Sequence, residues 1–119
     1  MSTTFSTDST ANATPLTLDS ALSAQVQVLG DALRAKGWTV SCAESCTGGG
    51  VAFAFTSMSG SSDWFNQSWV TYSNEAKQSI LGVTKQTLTA HGEVSKQPVK
   101  EMADGVRRNS GAQLVVTVS

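Results

Sequence analysis

The sequence predicts an α/β domain of three layers, with helices on both faces of a mostly parallel or mixed sheet. Two observations predict it. Apolar residues recur at helical spacing in some segments and as short runs of β-formers in others, and the two kinds of segment alternate along the chain. Glycines or polar clusters stand at most of the switches between them. At 119 residues the chain has room for one such domain.

Residues 1–17 are rich in Ser, Thr and Ala and almost free of large apolar side chains. They cannot bury enough surface to offset the entropy of ordering, so a disordered tail is expected there and the domain is expected over 18–119. Leu18, Leu22, Val26, Leu29 and Leu33 share one helical face, with Thr17 or Asp19 as N-cap and Gly37 as the stop. Residues 38–43 read as a strand. The run 44–50 reads as a turn that opens a buried helix ending near Met58. Residues 64–72 give a second strand, followed by a helix from Ser73 or Asn74 to Gly82 and a shorter one over 84–91. Ser95 caps a further helix whose apolar face is Val99, Met102, Ala103 and Val106. Residues 113–118 then form a buried strand.

Composition narrows the function. Only 14% of residues are charged and the net charge is -1, which lacks the basic footprint of a nucleic-acid binder or of a protein drawn to anionic membranes. No apolar run reaches the length of a membrane span, and no basic segment followed by an apolar one marks a secretory signal. A soluble, cytoplasmic protein is the expectation. Cys42 and Cys46 have no second cysteine pair, and the lone histidine, His91, lies far away, so free thiols are expected and no metal site. His91 reads as a helix C-terminal residue suited to the dipole.

Three segments carry chemical interest. Ser45 sits between a strand end and a helix N-terminus, where unpaired N–H groups can stabilise an oxyanion. Gly48, Gly49 and Gly50 behind it allow close approach to the backbone. The plain alternative is a glycine-rich turn with Ser45 as N-cap; neither phosphate-binding glycine fingerprint is present. Tyr72 and Lys77 follow the second strand and can reach the same sheet edge, although a helical lysine is ordinarily a solvated one and acts as a base only when its pKa is lowered. Finally, Ser61 and Ser62 lie in a loop before Trp64 and Phe65. That loop either faces a ligand or is a polar connection anchored by the two aromatic residues.

The runs 43–49 (AESCTGG), 60–65 (GSSDWF), 70–77 (VTYSNEAK), 81–83, 91–95 (HGEVS) and 101–103 occur in the order and spacing that mark the CinA C-terminal, PncC-type amidohydrolase family. The resemblance runs from about Leu18 to the last residue. It implies hydrolysis of nicotinamide mononucleotide to nicotinate mononucleotide and ammonia, with no metal or organic cofactor. Ser45 matches the family's nucleophile, and Tyr72 and Lys77 match its partners. N–H groups near Thr47, Gly48 and Gly49 would hold the oxyanion, and Ser61 and Ser62 would line the substrate site. Cys46 is a rival nucleophile, with no histidine at hand to activate it. Members of the family continue beyond the segment matching Leu114–Ser119 with a glycine-rich loop, further strands and a helix. The resemblance therefore implies a sheet incomplete at its C-terminal side, weak or no activity and poor stability of this chain alone, and a strand edge compatible with self-association. Two other classes stay open. A short-chain-dehydrogenase-like enzyme needs Tyr and Lys four apart, where Tyr72 and Lys77 are five apart, and a dinucleotide fingerprint that is missing. A non-catalytic module would bind a nucleotide or a partner without turnover.

Overall fold

The computed structural model describes residues 18–91 and 96–119. The predicted tail and the predicted Ser95 cap lie outside them. The elements run α1 (Ser20–Lys36), β1 (Val40–Glu44), α2 (Gly50–Thr56), a 3-10 turn (Ser61–Asp63), β2 (Phe65–Val70), α3 (Asn74–Leu81), α4 (Lys85–His91), α5 (Lys96–Ser110) and β3 (Leu114–Val118). The sheet is wholly parallel in the order β2-β1-β3. Parallel neighbours need a crossover between them, and the intervening helices supply it on both faces.

Asp19 caps α1, accepting the N–H groups of Ala21 at 2.8 Å and Leu22 at 3.3 Å. Val26 and Leu33 of α1 pack with Val40 and Cys42 of β1, Ala54 and Phe55 of α2, and Trp64. Gly30 lets α1 settle on Trp64, because a Cβ there would lie 2.7 Å from the indole nitrogen. This cluster fills one face of the sheet. The other face carries Ala43 of β1 with Leu81, Val83, Leu88, Met102 and Val106 from the α3–α5 side, and Trp69 and Val115 pack against it. All five residues of β1 are buried, as a central strand covered on both faces requires. Those of β3 are half-buried.

One irregularity decides which side chains meet. Along the β1–β2 ladder Val40 pairs with Phe65 but Cys42 with Ser68, two steps on β1 against three on β2. The extra residue flips the facing of β2 beyond that point. Phe65 therefore packs with the α1–α2 cluster while Trp69 packs with the α3–α5 cluster.

Helix α4 starts under a carboxylate from α5. Glu101 accepts the Thr84 N–H at 2.9 Å, the Gln97 amide at 2.9 Å and the Thr87 hydroxyl. Burial would raise the Glu101 carboxyl, but these donors, the Thr87 hydroxyl foremost, pull it down to about 2.

Candidate active site

β1 ends at Glu44, and the chain turns before α2 begins at Gly50. Ser45 still belongs to the sheet, since its N–H donates to the Val118 carbonyl of β3 at 2.9 Å. Gly48 and Gly49 take left-handed backbone angles, φ 58° and 103°, which side chains rarely tolerate and which fold the turn back over the strand end.

Glu44 organises that turn. Its side chain is fully buried and accepts the Thr47 hydroxyl at 2.6 Å, the Val51 N–H at 2.8 Å and the Ala52 N–H at 2.9 Å. Burial pushes the carboxyl up, but the Thr47 hydroxyl and the N–H groups of Val51, Ala52 and Gly49 outweigh it and hold it below the ordinary glutamate value. The amides opening α2 thus already serve a negative charge belonging to the protein. Sequence reasoning missed Glu44 as a working residue, although an acidic residue before a helix N-terminus is a recognisable signal.

This corrects part of the expected oxyanion site. The Gly48 N–H donates to the Ser45 carbonyl at 3.3 Å, the Gly49 N–H faces the Glu44 carboxylate, and the Thr47 hydroxyl is committed to Glu44. Among the described residues, no acceptor is found for the N–H groups of Cys46 and Thr47. They are the donors the turn still offers.

Ser45 itself is 7% exposed, and its hydroxyl meets the Tyr72 carbonyl at the long distance of 3.5 Å. Tyr72 is 75% exposed, and its backbone carbonyl is the group the structure brings to Ser45. Ser73 caps α3 by accepting the Ala76 N–H at 3.0 Å. One turn further, Lys77 is fully buried on the face of α3 that also carries Leu81. Its Nζ has no hydrogen-bond partner among the described residues. Strand alternation places Ser45 on the side of the sheet that Ala43 shares with Leu81, which is the side covered by α5, against which α3 packs. Ser45 and Lys77 thus occupy the same face at the carboxyl end of the sheet.

Ser61 and Ser62 do not join them. The turn that carries them precedes β2, and Phe65, the first residue of β2, pairs with Val40, the first of β1. They stand at the opposite end of a parallel sheet, about 15 Å along the strands from Ser45. Arg34 ties that turn to α1 through Asp63 at 3.2 Å and the Gly60 carbonyl at 3.0 Å, and Trp64 is buried beneath it.

Both cysteines are free; Cys42 is buried and Cys46 exposed. Burial raises the Cys42 thiol, which donates to the Ser68 hydroxyl at 3.0 Å. Among the described residues no His, Cys, Asp and Glu side chains cluster as metal ligands, and no helix is long and apolar enough to cross a membrane.

Known proteins are similar to this chain in sequence and in fold. A PncC nicotinamide-nucleotide amidohydrolase of Enterobacter agglomerans is 56% identical over 91 residues, covering 76% of this chain and 56% of that protein. The PncC of Escherichia coli strain K12 is 48% identical over 101 residues, covering 85% and 61%. The chain therefore spans somewhat over half the length of these relatives. Among solved structures, a competence/damage-inducible protein of Agrobacterium tumefaciens superposes with a TM-score of 0.82 at 38% identity, over 86% of this chain and 62% of the other. One from Klebsiella pneumoniae gives 0.81 at 36%, over 82% and 61%. The sequence model of the CinA C-terminal domain matches residues 22–119, and the chain belongs to that family.

Proposed function

We propose that this chain carries the serine site of an amidohydrolase that converts nicotinamide mononucleotide and water into nicotinate mononucleotide and ammonia. The observation that carries the reading is the fully buried Nζ of Lys77, without a hydrogen-bond partner among the described residues, on the side of the sheet that carries Ser45. A lysine kept out of water, with no bond to another described residue, is a group placed to exchange a proton with a bound reactant. The kinship to two PncC amidohydrolases supports the choice of an amide as substrate.

Ser45 Oγ attacks the carboxamide carbon while Lys77 takes the hydroxyl proton. The carbonyl oxygen becomes an oxyanion facing the Cys46 and Thr47 N–H groups. As the tetrahedral centre collapses, the C–N bond breaks and Lys77 returns the proton to the leaving nitrogen, which departs as ammonia. Water attacks the acyl-enzyme by the same proton exchange and frees the carboxylate and Ser45. Tyr72, with its ring exposed, serves by placing its carbonyl against the Ser45 hydroxyl and by offering an aromatic surface at the mouth of the site. The reading requires no metal or organic cofactor, and its place is the cytoplasm.

The test is ammonia release from nicotinamide mononucleotide by the chain and by its Ser45→Ala and Cys46→Ser variants. Loss in Ser45→Ala with retention in Cys46→Ser is expected. Loss only in Cys46→Ser would move the nucleophile by one residue, and an activity indifferent to Ser45 would favour a non-catalytic binding module.

A further inference from the structure

Three buried side-chain polar atoms have no hydrogen-bond partner among the described residues: Ser41 Oγ, Thr71 Oγ1 and Lys77 Nζ. The proposed mechanism uses only Lys77. Ser41 lies four residues back along β1 from Ser45, about 13 Å away, opposite Val115 in the body of the sheet. Thr71 is placed differently.

Glu44 and Val70 are partners across the β1–β2 ladder, and the Thr71 N–H donates to the Glu44 carbonyl at 2.9 Å. Ser45 and Thr71 are the next residue on each strand. Adjacent strands run about 4.8 Å apart, so the two are side-by-side neighbours. Trp69 packs into the α3–α5 cluster, and alternation brings Thr71, two residues on, to that same face beside Ser45 and Lys77. Thr71 is also fully buried. An unpaired buried hydroxyl is a net cost to the fold, and a valine of the same shape would remove it. Two polar groups with no partner among the described residues, Thr71 Oγ1 and Lys77 Nζ, therefore lie on the side of the sheet that carries the proposed nucleophile.

A carboxamide presents an acceptor oxygen and a donor NH2 group. The oxygen has the turn's N–H groups and the nitrogen finally takes a proton from Lys77, but the N–H bonds of the intact amide need an acceptor. A hydroxyl oxygen can supply one. The geometry points to Thr71 as the substrate-positioning residue that accepts a hydrogen bond from the carboxamide nitrogen and turns it toward Lys77. This inference rests on the amidohydrolase reading and adds to it the group that selects an amide leaving group.

The experiment compares the chain with its Thr71→Val and Thr71→Ser variants. The substrates are nicotinamide mononucleotide and the methyl ester of nicotinate mononucleotide, whose leaving oxygen carries no N–H. Thr71→Val is expected to melt no lower than the parent and to keep ester hydrolysis while losing about 10- to 100-fold in kcat on the amide; Thr71→Ser keeps both. Parallel loss on amide and ester, unchanged amide hydrolysis, or a lower melting temperature in Thr71→Val would each overturn the inference while leaving the amidohydrolase reading in place. If the parent hydrolyses neither substrate, the amidohydrolase reading itself fails and this inference falls with it.

Discussion

The Thr47 hydroxyl donates to the buried Glu44 carboxylate at 2.6 Å, so the strand that precedes Ser45 and the turn that follows it are held by one charge. Glu44→Ala leaves the Val51 and Ala52 amides without their acceptor, and such bonds to a charged group are each worth about 1.5–3 kcal/mol. The variant is expected to lose at least that much stability in urea denaturation. Thr47→Val, which deletes one of the donors to this charge and keeps the shape, is expected to lose about 1.5–3 kcal/mol. A Glu44→Ala chain as stable as the parent would mean that water replaces the carboxylate.

Lys77 predicts the opposite pattern. Its Nζ is buried and bonded to nothing among the described residues, so Lys77→Met removes a desolvated polar group and keeps the length of the side chain. Thermal stability is expected to hold or rise, while ammonia release falls by about 10²- to 10⁴-fold. A variant that loses stability and activity together would assign Lys77 to the core alone.

Gly105 of α5 crosses α3 with no room to spare. A Cβ at that position would lie 2.1 Å from the Leu81 carbonyl oxygen and 2.7 Å from the Leu81 Cα, both backbone atoms at the end of α3. Gly105→Ala must push the helices apart or distort one of them, at a cost of about 3 kcal/mol or more, the upper range for overpacking. Denaturant unfolding measures it, and a near-neutral effect would show that α3 and α5 part easily.

Acid titration isolates Glu101. Its carboxyl is depressed in the folded chain to about 2 from an ordinary 4.5. A depressed carboxylate stabilises the fold fully above the unfolded value, and that stabilisation is lost as pH falls through the folded one. Stability measured from pH 5 down to pH 2 is therefore expected to fall more steeply in the parent than in Glu101→Gln, the two curves converging at the acid end. Parallel curves would show that Thr84, Thr87 and Gln97 do not favour the charged form.

Most of the architecture was legible in the sequence because the signals were local. Asp19, Ser73, Gly37 and Gly82 mark the ends of α1 and α3, as their side-chain chemistry and backbone freedom predict. Ser45 and Lys77 were legible as candidates for the same reason: a strand end, a helix start, a motif. What escaped depends on contacts distant in sequence or on a count of one. The extra residue in β2 reverses the facing that strict alternation from Phe65 would give, and only with it does Thr71 come to lie beside Ser45. For Tyr72 the sequence shows only that it can reach the sheet edge; a residue between a strand end and a helix cap can offer its carbonyl inward and its ring to solvent, and only the fold decides which group meets Ser45. The end of the sheet at which Ser61 and Ser62 stand was not legible either, because an exposed polar loop beside aromatic residues carries no signal of which end of a parallel sheet it occupies.

The bond from the Ser45 N–H to the Val118 carbonyl also has a consequence in time. A growing polypeptide presents β1, the glycine turn and β2 long before β3 is synthesised, yet until β3 docks the amide of Ser45 lacks its acceptor. The serine acquires its final bearing only once translation has passed Val118. Early emergence of the motif thus does not mean early competence, and a ribosome-bound intermediate ending before Leu114 should display a turn that has not yet set.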